Sequence, residues 1–355
     1  MLSPMRRGSP QEAKLSNQGL LAIATSIPLC DLLTPTVTSL FHKFQPADKP
    51  TMYFIGVTTS KSSINQIFPL WADYLQLGSC QLKGVDFELH DRAELYREAV
   101  EFIKGDPFSL GALVTTHKID LCRACRDIFD VLDPLSDSME EVSSIFKRGS
   151  ALHGRAVDPT SSGLALAAFL TDDHWKATSA EVYILGAGGS AMALTWYLVQ
   201  PRHGANRPSK VHVADRSRPR LEHLRELHAS WNSGVALECH LVNEPGDADT
   251  VLESLKPSSL IVNATGLGKD APGSPITNNA RFPSNALVWE FNYRGDLLFL
   301  RQAKAQQETR NLTIEDGWIY FVHGWTRVIA DVFAVDIPTQ GRQFDELSRI
   351  AASVR

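Results

Sequence analysis

The sequence predicts an α/β protein with two mainly parallel sheets. Three observations carry that expectation. At 355 residues with 43% hydrophobic content, the chain exceeds what one core organises, since single cores stop growing at about 250 to 300 residues. Short apolar runs alternate with amphipathic stretches along most of it, the pattern of βαβ units. One of those runs, VYIL at 182–185, passes directly into a glycine turn and then into a helix-like stretch.

Taken in order, MLSPMRRGSPQEAKLSNQ at the start is polar and rich in turn formers, which predicts a disordered tail. A basic start before the apolar GLLAIATSIPLCDLL is faintly similar to a targeting peptide. Glu12 and the absence of a small-residue cleavage pattern argue against one. From residue 51, TMYFIGVTT is strand-like, INQIFPLWADYLQL helical, CQLKGVDFEL strand-like, ELYREAVEFIKG helical and LGALVTTHK again a strand. A second series contains EVYILGAGG, KVHVADRS, LECHLVN, SLIVNATG and ALVWEFNY, with PRHGANRPSK as a surface loop inside it. VHGWTRVIADVFAV and FDELSRIAASV close the chain as helices.

Composition excludes several classes of function. Net charge is −5, with 35 basic and 40 acidic residues, so no basic face is present to displace counterions from a nucleic acid. No run of about 18 apolar residues occurs, so no membrane span is expected. The cysteines, Cys30, Cys80, Cys122, Cys125 and Cys239, are odd in number and few for the length, which suits a reducing, cytoplasmic setting. Cys122 and Cys125 form a CxxC within the helical KIDLCRACRDIFDVL. No second CxxC or paired histidines complete a zinc site, so ordinary helix thiols are expected and no metal site is assigned.

The glycine turn carries the first chemistry. Gly186, Gly188 and Ala191 fit G-x-G-x-x-A between a strand and a helix, the Rossmann fingerprint of dinucleotide binding. The first glycine permits the turn, the second lets backbone N–H groups approach a pyrophosphate, and the small third residue lets helix and strand pack. Asp215 ends the next strand, where a carboxylate accepts hydrogen bonds from ribose hydroxyls and repels a 2′-phosphate, favouring NAD. Arg216, Arg218 and Arg220 suit the phosphate of NADP instead, or form a solvated basic loop, so the cofactor stays NADP or NAD.

Lys118 follows a buried strand and Asp158 precedes a helix. With NATGLG at 263–268 and the stretch from Glu290 to Tyr293, these segments make the chain from about 52 to 335 similar to the shikimate dehydrogenase family, which includes quinate/shikimate dehydrogenases. SKS at 60–62 resembles the family's S-x-S, so the resemblance implies that Ser60 and Ser62 bind a substrate carboxylate. VTTHK resembles V-T-x-P-x-K, which implies Lys118 as the catalytic lysine and places Thr115 at the substrate. AVDPTSSG resembles N-T-D-x-x-G, which implies Asp158 as the catalytic aspartate. GAGGSAMA matches the cofactor turn, implying contacts from Gly186, Ala187, Gly188, Gly189, Ser190 and Ala191, with Asp215, Arg216 and Ser217 beyond them. NATGLG resembles N-A-T-S-x-G, implying Asn263, Ala264, Thr265 and Gly266 near the nicotinamide ribose, and EFNY resembles D-x-x-Y, implying Tyr293 at the substrate.

The resemblance implies a nicotinamide domain at 166–315 and an α/β substrate domain from 51–165 and 316–355, with the active site in the cleft and residues 1–50 as an extension. It implies an NAD(P)-dependent oxidoreductase acting on a cyclic hydroxy or keto acid, with Lys118 and Asp158 passing the proton as hydride moves. A non-catalytic metabolite- or dinucleotide-binding homologue is the alternative; retention of both Lys118 and Asp158 speaks against it. The departures bear on substrate. Where the family reads G-A-V-N-T this chain reads EEVSS, putting Ser143 at the substrate-binding asparagine. Ala156-Val157 replaces N-T, and GWIYFVHGWT lacks the usual glutamine, leaving His323 as either a substrate ligand or a packed helix histidine. Losing these amides predicts a substrate other than shikimate itself. The oligomeric state is left open.

Overall fold

The computed structural model describes residues 44–355. The expected tail, the apolar stretch after it, Cys30 and most of the extension expected at 1–50 lie outside the described residues. Chain order in the first part is β1 (Thr51–Gly56), α1 (Ile64–Tyr74), β2 (Gln81–Asp86), α2 (Ala93–Gly105), β3 (Ser109–Val114), α3 (Lys118–Cys125), β4 (Val131–Leu132), α4 (Pro134–Met139), β5 (Ser144–Arg148), β6 (Ala151–Arg155) and α5 (Asp158–Leu166). Six strands pair in the order β2-β1-β3-β5-β6-β4. Strand β1 is parallel to β2 and β3, and β4 to β6, as the strand–helix alternation requires, while β5 runs antiparallel to both β3 and β6. The β5–β6 hairpin turns through Gly149 at φ 61°, so no helix intervenes and the alternation carries no sign of it.

The second part runs α6 (His174–Thr178), β7 (Val182–Leu185), α7 (Gly189–Leu198), β8 (Lys210–Asp215), α8 (Arg218–Ser230), β9 (Ala236–Leu241), α9 (Pro245–Ser254), β10 (Leu260–Asn263), β11 (Leu287–Glu290), α10 (Leu298–Lys304), α11 (Gln307–Arg310) and β12 (Thr313–Glu315). Its strands lie in the order β12-β11-β10-β7-β8-β9, every pair parallel. This is the doubly wound Rossmann arrangement, whose strand order reverses between β7 and β10. Every residue of β7 and of β10 is buried, because helices cover both faces of a parallel sheet.

Helices α12 (Trp318–Phe333) and α13 (Arg342–Ala352) return to the first sheet. Side-chain alternation puts Met52 and Phe54 on one face of β1 and Tyr53 and Ile55 on the other. The first pair shares a core with Ile64, Ile67 and Trp71 of α1, Trp325, Val328 and Ile329 of α12, and Phe344 and Leu347 of α13. The second pair packs with Tyr96, Ile103, Leu121 and Cys122 of α2 and α3. The Trp71 indole donates to the Leu347 carbonyl at 2.9 Å, which ties α1 to α13. No helix among the described residues is long and apolar enough to cross a membrane.

Candidate active site

The strand-order reversal leaves a crevice at the carboxyl ends of β7 and β10, where ligands of open α/β sheets bind. Gly186 takes φ 105°, and a Cβ there would lie 2.9 Å from the Ala264 carbonyl oxygen. Both conditions demand glycine. The turn after β7 therefore abuts the loop after β10, and the Ala264 N–H donates to the Leu185 carbonyl at 2.8 Å. Gly188 caps α7 with no side-chain partner, and a Cβ on it would meet nothing within 4 Å. An uncapped helix N-terminus facing open space fits a dinucleotide pyrophosphate. Ala191 is fully buried, consistent with close helix–strand packing.

Asp215 organises this turn. Its Oδ2 accepts the Ala187 N–H and its Oδ1 the Ser217 N–H, both at 2.7 Å. Arg216 and Arg218 are exposed, whereas Arg220 donates to His90 Nε2 at 3.0 Å. Across the crevice, Asn263 Oδ1 accepts the Thr265 N–H at 3.0 Å and the Thr265 hydroxyl at 2.6 Å. Asn263 Nδ2 donates to the buried Glu290 carboxyl at 2.7 Å, and Glu290 also accepts the Asn292 N–H at 2.8 Å. Asn292 Nδ2 in turn donates to the carbonyls of Thr265 and Leu267 at 3.1 and 3.2 Å, with Gly266 exposed between them. Burial pushes Glu290 up to about 7, while its hydrogen bonds pull it back.

Three side-chain donors converge on one carboxylate oxygen. A turn of three residues, with Thr116 at φ 31°, leads from β3 to Lys118 as the first residue of α3. Asp158 opens α5, ahead of Pro159. Asp158 Oδ2 accepts hydrogen bonds from Lys118 Nζ, from Ser190 Oγ at 3.1 Å and from the Tyr320 hydroxyl at 2.9 Å. Lys118 Nζ is 3.4 Å from Ser190 Oγ, so α3, α5, α7 and α12 all reach this point. Gly163 allows it: a Cβ there would strike the Tyr197 ring at 2.1 to 2.6 Å, so α5 and α7 cross closely only through glycine. Desolvation lowers the Lys118 ammonium, but the attraction of Asp158 and Glu141 outweighs it and holds the amine protonated. Burial and the neighbouring Asp158 raise Tyr320 well above its ordinary value.

The remaining expected residues fall into three groups. Ser62 and Tyr293 meet, their hydroxyls 3.0 Å apart, while Ser60 is exposed nearby. Thr115 donates to the Ile55 carbonyl at 3.1 Å, and Ser143 Oγ accepts the Val157 N–H at 2.7 Å, so both hydroxyls are engaged by backbone. His323 is buried and stacked on Phe344, ring centroids 4.4 Å apart, and burial pushes it down to about 4. Cys122 and Cys125 are buried thiols that desolvation pushes up to about 12, far from thiolate reactivity. Sequence reasoning missed Tyr320, Glu141 and Asn292. Tyr320 lies three positions before His323, but its hydroxyl meets Asp158 while His323 stacks on Phe344, so the neighbouring histidine gave no signal for it.

No protein-family model matches the chain. In sequence it is 26% identical over 178 residues to a protein named shikimate dehydrogenase (NADP(+)) from Lactococcus lactis subsp. cremoris, and 30% identical over 181 residues to its namesake from Streptococcus thermophilus. Each match takes in 50% of this chain and 59% or 58% of the relative, so the matched part spans somewhat over half the relatives' length. In fold it is similar to shikimate 5-dehydrogenase from Thermus thermophilus, solved with NADP(H) and shikimate, at TM-score 0.61 and 19% identity over 86% of this chain and 99% of that one. Quinate dehydrogenase from Corynebacterium glutamicum, solved with NAD, gives TM-score 0.61 and 18% identity over the same shares of the two chains. 5-Ketofructose reductase from Gluconobacter gives 0.59 and 15%, again over 86% and 99%.

Fold and crevice define a mixed α/β protein that joins a Rossmann sheet to a second α/β part, as shikimate dehydrogenases do. In sequence over half its length, and in fold, the chain is similar to shikimate and quinate dehydrogenases.

Proposed function

We propose that the protein is an NAD(P)-dependent oxidoreductase that interconverts a ring alcohol and a ketone on a shikimate- or quinate-like cyclic hydroxy acid. The observation that carries this reading is Asp158 Oδ2, on which Lys118, Ser190 and Tyr320 converge, because Ser190 belongs to the first turn of the helix that follows the glycine turn. The proton pair and the cofactor helix thus share one hydrogen-bond cluster. A nicotinamide dinucleotide held at the turn would supply or accept the hydride. Lys118 polarises the carbonyl and gives it a proton, and Asp158 keeps the ammonium charged and oriented. Tyr320 and Ser190 fix the carboxylate that does so. In the reverse direction Lys118 takes the hydroxyl proton as hydride leaves.

On this reading 51–165 and 316–355 form the substrate part and 166–315 the dinucleotide part, with the reaction between them. The shared core of β1, α1, α12 and α13 supports that division. Ser62, Tyr293 and the exposed Ser60 receive the acid end of the substrate. Ser143, occupied by the Val157 N–H, leaves fewer groups to read ring hydroxyls than a two-ended amide would, which supports a substrate other than shikimate. A cytoplasmic setting suits Cys80, Cys122, Cys125 and Cys239, all free thiols. The test is absorbance at the reduced-nicotinamide band, with NAD⁺ and NADP⁺ each tried against a panel of cyclic hydroxy acids including shikimate and quinate. No turnover with any pair would reject the reading.

Two substitutions follow from the geometry. Tyr320→Phe should lower kcat about tenfold, less than a directly reacting group provides, with dinucleotide affinity unchanged. Equal kcat in the variant would show that the hydroxyl contributes nothing through Asp158. Asp215→Asn should shift the kcat/KM ratio toward NADP⁺, by removing a charge opposed to a 2′-phosphate while Arg216 and Arg218 remain. The amide keeps only one of the two acceptors that hold the turn, so a stability loss of about 1 kcal/mol should accompany the shift. A fixed ratio would mean that Asp215 serves the turn alone.

A further inference from the structure

A second group of ligating side chains lies on the outer two strands of the Rossmann sheet. β9 is the edge strand and pairs with β8 in parallel, so His212 stands opposite Glu238 and Ala214 opposite His240. Side-chain alternation puts all four on one face. His212 Nδ1 lies 3.1 Å from His240 Nε2 and 3.7 Å from Glu238 Oε2, and the ligating atoms of the three residues are within 4.8 Å of one another. Cys239, between the two ligands of β9, turns to the opposite face, its Sγ 3.7 Å from the Leu221 carbonyl oxygen. The sequence carries no local sign of the cluster, since its histidines are 28 residues apart and meet only across the strand pairing.

We propose that His212, Glu238 and His240 bind one zinc ion, independently of the reaction described above, and that the ion clamps the edge strand β9 to β8. Zinc takes histidine nitrogen at about 2.0 to 2.1 Å and carboxylate oxygen at about 2.0 to 2.2 Å in tetrahedral geometry, which sets neighbouring donors about 3.3 Å apart. The separations of 3.1 and 3.7 Å straddle that value. Two neutral imidazoles that face each other share one proton at most, whereas an ion between them engages a lone pair of each. The second ring nitrogen of His212, Nε2, is buried, has no hydrogen-bond partner and lies 4.0 Å from Glu181 Oε2. Coordination through Nδ1 puts the ring proton on Nε2, toward that carboxylate, the arrangement that fixes the tautomer of a metal-bound histidine.

Access and chemistry agree with zinc. His212 is buried, His240 half-buried and Glu238 exposed, so an ion enters from solvent and keeps a water as its fourth ligand. Two imidazoles with a single carboxylate suit zinc, whereas magnesium and calcium take mainly oxygen. Lys210 Nζ donates to Glu238 Oε2 at 3.0 Å, and this ammonium competes with the ion for that oxygen. Both side chains of that pair reach the surface, so the lysine can swing into water as the ion enters. The clamp falls where the sheet is least fastened: no strand lies beyond β9, and none of its residues is fully buried.

The test is calorimetric titration with Zn²⁺ of the full chain, first stripped with a chelator. Wild type should bind one equivalent at this site, and Mg²⁺ should not displace it. His240→Ala and Glu238→Gln, changes at side chains that are not fully buried, should each weaken binding by more than about 100-fold, the most that loss of an outer partner costs a metal site. Lys210→Met should act in the opposite direction and tighten binding, because it frees the carboxylate and removes a like charge from the ion. Thermal unfolding reads the same site separately. An ion that binds only the folded chain raises Tm, so the gain should appear in wild type and vanish in His240→Ala.

No binding by wild type, displacement by Mg²⁺, or equal affinity in wild type and both ligand variants overturns the proposal, since an ion held elsewhere on the chain is indifferent to these side chains. Unchanged affinity in Lys210→Met takes Glu238 out of the coordination shell and overturns it too. Turnover is no part of either readout, so failure of the oxidoreductase reading leaves the result standing.

Discussion

Lys118→Ala and Asp158→Asn should each lower kcat by about 10² to 10⁴-fold, the range typical of a positioned acid or base, and leave dinucleotide affinity nearly unchanged. The split follows from where the residues sit. Neither belongs to the glycine turn, and their polar contact with it is through Ser190 Oγ, 3.4 Å from Lys118 Nζ and 3.1 Å from Asp158 Oδ2. Removing the lysine strips a buried carboxylate of its cation, a change that costs about 3 to 5 kcal/mol when nothing replaces the partner. Here Ser190 and Tyr320 still donate to Asp158 Oδ2, so the variant should fold with a lowered Tm. Asp158→Asn keeps the volume and leaves Lys118 beside Glu141, so its stability loss should be smaller although its kinetic loss is as large. Steady-state kinetics at the reduced-nicotinamide band, beside calorimetric titration of the cofactor, separates the two effects. Wild-type turnover in either variant would remove that residue from the mechanism.

Gly188→Val should abolish dinucleotide binding in a protein that remains folded. Gly188 has φ −83° and ψ −176°, extended backbone that valine adopts without strain, and a Cβ there meets no atom within 4 Å. The branched side chain would fill only the space beside the first N–H groups of α7, where a pyrophosphate has to lie. Gly186→Val is the informative contrast. Its φ of 105° and the Ala264 carbonyl oxygen 2.9 Å from a Cβ make that change a folding defect. Calorimetric titration and thermal unfolding of the pair should therefore divide, one losing ligand and the other losing Tm. Full affinity in folded Gly188→Val would place the dinucleotide elsewhere.

The Rossmann half was legible because its signals are local. Buried strands, amphipathic helices and a glycine turn each occupy a short window; β7, β8, β10 and β11 fall within the runs that predicted them, and β9 begins one residue before its run. The β5–β6 hairpin was not, since SIFKRGSALHGR has neither a helix between its strands nor a strict alternation. Among site residues, Lys118 and Asp158 were found through motifs that lie next to them in the chain. Tyr320 was passed over because its partner is 162 residues away, and nothing near it announces an acceptor. Glu141 was hidden differently. A glutamate in EEVSS reads as surface charge until packing shows it enclosed. His323 drew notice by residue type alone, and its ring lies flat on Phe344.

The oxygen shared by Lys118, Ser190 and Tyr320 also sets the order in which a new chain becomes competent. Its three donors stand 40, 32 and 162 residues from Asp158 along the sequence. The first two can dock once α7 has emerged from the ribosome, but the third waits for α12. Closing so long a loop carries a late entropic cost, and contacts of this separation belong to the slow phase of folding. Until then the Met52 and Phe54 face of β1, which α12 and α13 help α1 to cover in the finished chain, stays partly open. A nascent or truncated copy thus lacks one donor to Asp158 while exposing apolar surface to chaperones and proteases, so the step that completes the hydrogen-bond cluster also conceals the chain from degradation.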